Sequence, residues 1–101
     1  MVKIIVLYPP QQDADAFEKR YIDVHIPLTR KLPGLVRMDA ARTKTAPGTP
    51  NPFAFMTELY FQDRDAMKNA MKSPEMAACV KDVTDNVPGG CTVYTSDDIR
   101  S

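Results

Sequence analysis

The chain has no tryptophan, one histidine, two cysteines and four glycines among its 101 residues. Each scarcity removes a class of function. With glycines only at positions 34, 48, 89 and 90, no phosphate-cradling loop and no dinucleotide fingerprint can be written. No nucleotide, flavin or nicotinamide cofactor is therefore expected. A lone histidine without a C-x-x-C pair leaves a metal site almost nothing to assemble from, and a haem would have His25 as its single candidate ligand. Thirteen basic residues balance thirteen acidic ones, so the chain carries no electrostatic footprint for nucleic acid or for an anionic membrane surface. The opening run, MVKIIVLYPP, is too short for a signal peptide and far below the ~20 apolar residues of a membrane span. A cytoplasmic location is expected, with Cys79 and Cys91 reduced and packed rather than bridged.

What the chain does have is an ordered succession of patterns. Val2–Tyr8 is a β-branched run stopped by Pro9-Pro10, which reads as a strand. Asp13 or Asp15 can cap a helix carrying Phe17, Tyr21, Val24 and Leu28 on one stripe, and Pro27 should end its regular part near His25 or in a loose turn just beyond it. After the Pro33-Gly34 turn, Leu35–Lys44 reads as a strand. Thr45–Pro52 is a stiff hairpin loop, and Phe53–Gln62 returns with Phe53, Phe55, Thr57, Leu59 and Phe61 on one side. Asp63 can cap a second helix bearing Ala66, Met67, Ala70 and Met71. Ser73-Pro74 interrupts that helix, and Met76, Ala77, Val80 and Val83 continue its stripe. Pro88-Gly89-Gly90 leads into a last strand, Cys91–Thr95, and residues 96–101 form a polar tail.

The order is β-α-β-β-α-β within one domain, 1–101. It predicts an α+β, ferredoxin-like fold with a four-stranded antiparallel sheet. Two helices cover one face only. Val2, Ile4 and Val6 fall on one side of the first strand and Ile5 and Leu7 on the other, while Ala54, Met56 and Tyr60 back the phenylalanines of the third. A sheet apolar on both sides needs a second cover, and a second copy of the chain supplies it. A homodimer through the helix-free sheet face is the expectation.

His25 falls at the edge of the first helical stripe, next to Tyr21. It either caps the helix C-terminus or lines a cleft as a proton acceptor or donor, since histidine is the side chain that changes charge near neutral pH. Tyr21, one turn earlier, either packs in the core or makes a hydrogen bond beside the imidazole. Asp23 faces elsewhere, so no His25–Asp23 pair is expected. Phe17 and Leu28 share the stripe and are candidate pocket residues. Met56 and Tyr60 share the other face of the third strand and line either the pocket or the dimer core. Arg37 is read as a solvated strand residue, and Cys91 has no basic neighbour to activate it.

Tyr21-x-x-x-His25-x-Pro27-Leu28, followed by Leu32-Pro33-Gly34-Leu35, resembles the signature of the EthD family, named for a protein linked to ethyl tert-butyl ether degradation. The resemblance continues in the Lys72-Ser73-Pro74-Glu75 break and in Asp82. Tyr8-Pro9-Pro10 replaces a longer basic stretch, and Ile22 takes a place often held by tryptophan. The resemblance implies chains that pair sheet to sheet into a dimeric α+β barrel, with a histidine at position 25 beside the active site. Related barrels act without cofactors as monooxygenases, cyclases, decarboxylases and isomerases. The implied function is that of a small homodimeric oxidoreductase of monooxygenase type, or a lyase or isomerase. It would act on a small, mostly apolar organic metabolite with His25 moving the proton. The alternative is a non-catalytic binding protein that serves a catabolic pathway.

Overall fold

The alternating apolar residues of four segments build one antiparallel sheet in the computed structural model, which describes residues 1–99. The strands are β1 (Val2–Tyr8), β2 (Leu35–Arg42), β3 (Phe55–Phe61) and β4 (Thr92–Asp97), in the spatial order β2-β3-β1-β4. The register sets Val2 against Phe61, Ile4 against Leu59 and Tyr8 against Phe55, so these side chains share one face. That face carries the helices and the core. Phe61 and Ala70 are fully buried, and Val2, Ile4, Leu32, Leu59 and Met67 pack around them.

The helical segments are α1 (Ala14–Arg20), a π-helical turn (Tyr21–His25), α2 (Ile26–Thr29), α3 (Arg64–Met71) and α4 (Pro74–Asn86). Asp13, Asp63 and Ser73 cap three of them, accepting the N–H groups of Ala16, Ala66 and Met76 at 3.0, 2.9 and 3.1 Å. Each bond satisfies a donor that the first helical turn leaves free. Replacing Asp63 with Ala is expected to lower the unfolding free energy by about 1 kcal/mol, measured by urea denaturation.

Pro27 does not stop the first helix, contrary to the sequence expectation. The chain winds on through it to Thr29. Within an α-helix, a proline ring strikes the carbonyl four residues back and offers no N–H. Here the preceding turn is widened: the Ile26 N–H bonds to the carbonyl of Tyr21, five residues back. The wider turn also moves each following side chain around the axis. Val24, expected in the stripe, is 41% exposed, and His25 takes the inward place at 7%.

Three other boundaries differ. β2 ends at Arg42 and β3 begins at Phe55, so the proline-rich hairpin loop is longer than read. β4 extends to Asp97, whose carboxylate pairs with Arg64, so part of the expected tail belongs to the sheet. Arg100 and Ser101 lie outside the described residues.

The helix-free face is apolar over only part of its area. Ile5, Leu7 and Met56 are half-buried there, whereas Lys3 and Glu58 pair at 2.6 Å nearby. Tyr60 lies between the Lys3 ammonium, 5.3 Å from its ring centre, and the Arg37 guanidinium, at 5.2 Å.

Candidate functional site

The widened turn sets Phe17, Tyr21 and His25 on successive turns facing the sheet. Tyr21 and His25 stack at 5.2 Å between ring centres. From β1, Tyr8 meets both rings edge-on, at 5.6 Å from Tyr21 and 6.5 Å from His25. Phe17 packs at 4.8 Å on Phe55 of β3. The Tyr21 hydroxyl is hydrogen-bonded to that of Thr57. These contacts make one aromatic wall, with the imidazole as its basic member.

The fourth side comes from α4. His25 Nδ1 lies 2.9 Å from Asp82 Oδ2. Arg20 grips the same carboxylate through two bonds, Nη2 to Oδ1 at 2.6 Å and Nη1 to Oδ2 at 3.2 Å. Asn86 Nδ2 donates to Oδ1 at 3.2 Å. The Arg20 hydrogen bonds, followed by that of His25, hold the Asp82 carboxyl down at about 2, against the opposing effect of burial. An ionised carboxylate only accepts, so Nδ1 carries the hydrogen. In the neutral imidazole, Nε2 is then the proton acceptor. The bonding also removes the helix-cap role considered for His25, because the ring reaches a side chain on another helix.

Tyr8, His25 and Val83 separate two cavities. One, of about 260 Å³, opens outward past Gln11, Arg20, Asp82 and Asn86. The other, of about 460 Å³, lies between the sheet and α4, walled by residues such as Ile4, Val6, Leu59, Met76 and Cys79, and opens to solvent past the exposed Val80 and Val93. The thiols of Cys79 and Cys91 both border this larger space as free cysteines, and burial pushes both above the usual thiol range.

Of the residues singled out in the sequence, the structure brings His25, Tyr21 and Phe17 together. Met56 borders a neighbouring cleft of about 370 Å³ between the first helix and the β2–β3 edge, which Phe17 and Tyr21 also line. Leu28, half-buried on α2, and Tyr60, on the helix-free face, border none of these three cavities. Tyr60 fails to reach them because β3 alternates, and its helix-side neighbours are Thr57, Leu59 and Phe61. Arg37 is exposed and pairs with Asp39 at 2.9 Å.

Sequence reasoning gave no site role to Tyr8, Arg20, Asn86 or Asp82, although Asp82 is among the residues that carry the family resemblance. The stripe assigned to α4 also differs. Its buried residues are Cys79, Asp82 and Val83, while Val80 is 57% exposed. A carboxylate replaces an apolar residue on the inner side because Arg20 neutralises it there.

Together these features define a small α+β protein of ferredoxin-like architecture, with an oriented histidine between helix and sheet. The EthD domain model matches residues 9–86, a span that contains Arg20, His25 and Asp82, and the chain belongs to that family. It is 34% identical to an ethyl tert-butyl ether degradation (EthD) family protein of Bacillus halodurans C-125. That match covers 98% of this chain and 99% of the other, with a TM-score of 0.88. It is 28% identical over 98 residues to an 11.0 kDa protein of the thcB–thcC intergenic region of Rhodococcus erythropolis, covering 97% of this chain and 95% of that one. A dimeric ferredoxin-like protein from Jannaschia sp. CCS1 shares the fold at a TM-score of 0.68 and 15% identity, over 96% and 98% of the two chains. Among the described residues no helix is long and apolar enough to cross a membrane.

Proposed function

We propose that the chain is a homodimeric, cofactor-independent enzyme that moves a proton on a small, mostly apolar organic metabolite, with His25 as acceptor and donor. The reaction type is that of a monooxygenase-like oxidoreductase or of a lyase or isomerase in catabolism. One observation carries this reading. A buried imidazole, oriented by an ionised carboxylate at 2.9 Å, stands in the wall of an apolar cavity of about 460 Å³. An apolar substrate seated against that wall displaces water from beside the base, and Asp82 stabilises the imidazolium that forms. The reading is tested by incubating the protein, with no added cofactor, with a panel of small apolar ketones, phenols, lactones and ethers, and following turnover by mass spectrometry. Turnover is the expected result. Tight binding without turnover would make the chain an auxiliary binding protein instead.

The dimer is assigned to the helix-free face. Ile5, Leu7 and Met56 offer apolar area there, and Lys3, Arg37, Asp39 and Glu58 offer both signs of charge to a second copy. A stable pair buries about 800 Å² per partner. Sedimentation equilibrium at micromolar concentration is expected to show a dimer, and Leu7→Glu is expected to shift it to monomer. A wild-type chain that sediments as monomer contradicts this assignment.

A further inference from the structure

The Asp82 carboxylate faces two partners from the first helical segment. Arg20 is a permanent cation, and His25 is a base that can be neutral. In a regular α-helix, side chains five residues apart point about 140° away from each other, too far round to meet one group. The widened turn over Tyr21–His25, where the Ile26 N–H bonds five residues back, lies between Arg20 and His25 and draws them to one side. Arg20 then reaches both carboxylate oxygens, at 2.6 and 3.2 Å, while His25 Nδ1 reaches Oδ2 at 2.9 Å.

Few charges surround the ring. Tyr21 stacks on it, Tyr8 meets its edge from β1, and Cys79 of α4 and Cys91 ahead of β4 border the larger cavity with it. Burial pushes all four above their usual ranges, so none is charged near neutral pH. From α2, Thr29 donates to the His25 carbonyl at 3.0 Å, and β3 presents Thr57 and Leu59 to the same cavity. Asp13 borders the outward cavity but is exposed to water at the helix start. Among the described residues, Asp82 and Arg20 are therefore the charges that the imidazole meets out of bulk water. With a neutral ring they balance. With a protonated ring, one carboxylate serves two cations, and one of them is only 7% exposed. Without Arg20, the same carboxylate would be balanced only if the ring took a proton and kept it.

We propose that Arg20 is a positioning residue for His25: it holds both oxygens of Asp82 and takes up the carboxylate's charge, which leaves the imidazole neutral until a substrate gives it a proton. This rests on the reading of His25 as the proton-transfer group. A group that accepts a proton in a reaction must first be without one. Asp82, shared in this way, still orients Nδ1 and still meets the imidazolium when it forms. Arg20 keeps it from holding the ring as an imidazolium beforehand. The widened turn is thus a working part of the site, because it lets one helical segment bring a cation and a base to the same carboxylate.

The test needs no substrate. With one histidine in the chain, the ring ¹H and ¹⁵N shifts followed against pH give one titration curve. In Arg20→Gln, which keeps an N–H donor but no charge, the midpoint of that curve is expected to rise by about 1 pH unit or more above wild type. Arg20→Lys keeps the cation, and its midpoint is expected to stay within about half a unit of wild type. The Arg20 side chain is 38% exposed, so neither variant opens a cavity in the core. Beside Asp82→Asn, the change made by Arg20→Gln is expected to shrink to less than about half, because Arg20 acts through that carboxylate. The proposal is overturned if Arg20→Gln titrates at or below the wild-type midpoint, if Arg20→Lys moves as far as Arg20→Gln, or if the full change survives beside Asp82→Asn. In each of these cases the turnover of His25→Gln still decides, on its own, whether His25 transfers a proton, so the two readings fail separately.

Discussion

His25→Gln is expected to lower turnover by about 10²–10⁴-fold while leaving the protein folded. Glutamine is close in size and keeps an N–H for the Asp82 carboxylate, but it cannot take up a proton. Asp82 retains Arg20 and Asn86 in either case, so the loss of stability should stay near 1 kcal/mol, the scale of one hydrogen bond. The ratio of the two effects is the informative quantity. A purely structural histidine would show the stability loss with activity intact, and urea denaturation beside steady-state kinetics separates the cases.

The second large effect belongs to Asp82. Asp82→Ala removes the acceptor shared by Arg20, His25 and Asn86. Arg20 is partly exposed and can turn to water, whereas His25 is buried and would keep an unpaired Nδ1–H. The expected cost is about 2–4 kcal/mol in urea denaturation. Asp82→Asn keeps the shape but lets the imidazole adopt the other tautomer, so turnover should fall by about 10²-fold or more with a smaller loss of stability. The carboxyl also governs acid sensitivity. Its folded-state pKa is lowered from 3.8 to about 2, so its contribution is complete above the unfolded value and disappears as pH falls toward 2. That contribution is on the order of 2 kcal/mol. The wild-type stability curve should therefore descend between about pH 4 and 2 by that much more than the curve of Asp82→Asn. Parallel curves in that window would mean that Arg20 and His25 do not hold the carboxylate ionised.

The parts of the fold that were legible in the sequence are those that depend on neighbours in the chain. The β-branched run Val2–Tyr8 before Pro9-Pro10 identified β1, and Asp13, weighed beside Asp15, and Asp63 marked helix starts where their side chains do accept capping bonds, while the break read at Ser73-Pro74 is where Ser73 caps α4. The Phe17–Tyr21–His25 grouping was partly legible, since the wheel placed His25 beside Tyr21. Its burial was not. An ideal helix puts Val24 inward, and only the widened turn ahead of Pro27 rotates His25 into that place. Asp82 was beyond reach for a different reason. It lies 57 residues from its histidine, and a single aspartate between apolar positions of an exposed helix carries no local mark of a partner. Tyr8 was hidden by its setting, because a tyrosine before Pro9-Pro10 reads as the end of a strand. The register opposite Phe55 is what turns its ring under the helix. Tyr60 was left between pocket and dimer core through face-sharing with Met56, and the structure sets it on the helix-free face, bordering none of the three cavities.

Proton transfer by His25 requires its Nε2, rather than its Nδ1, to be free to take the proton. Long-range ¹H–¹⁵N correlation of the imidazole answers this directly, since one histidine in the chain gives one set of ring signals. The Asp82 carboxylate at 2.9 Å requires the neutral ring to be protonated at Nδ1 with Nε2 bare, and Asp82→Asn should shift that population. A wild-type ring protonated at Nε2 and bare at Nδ1 would contradict the account.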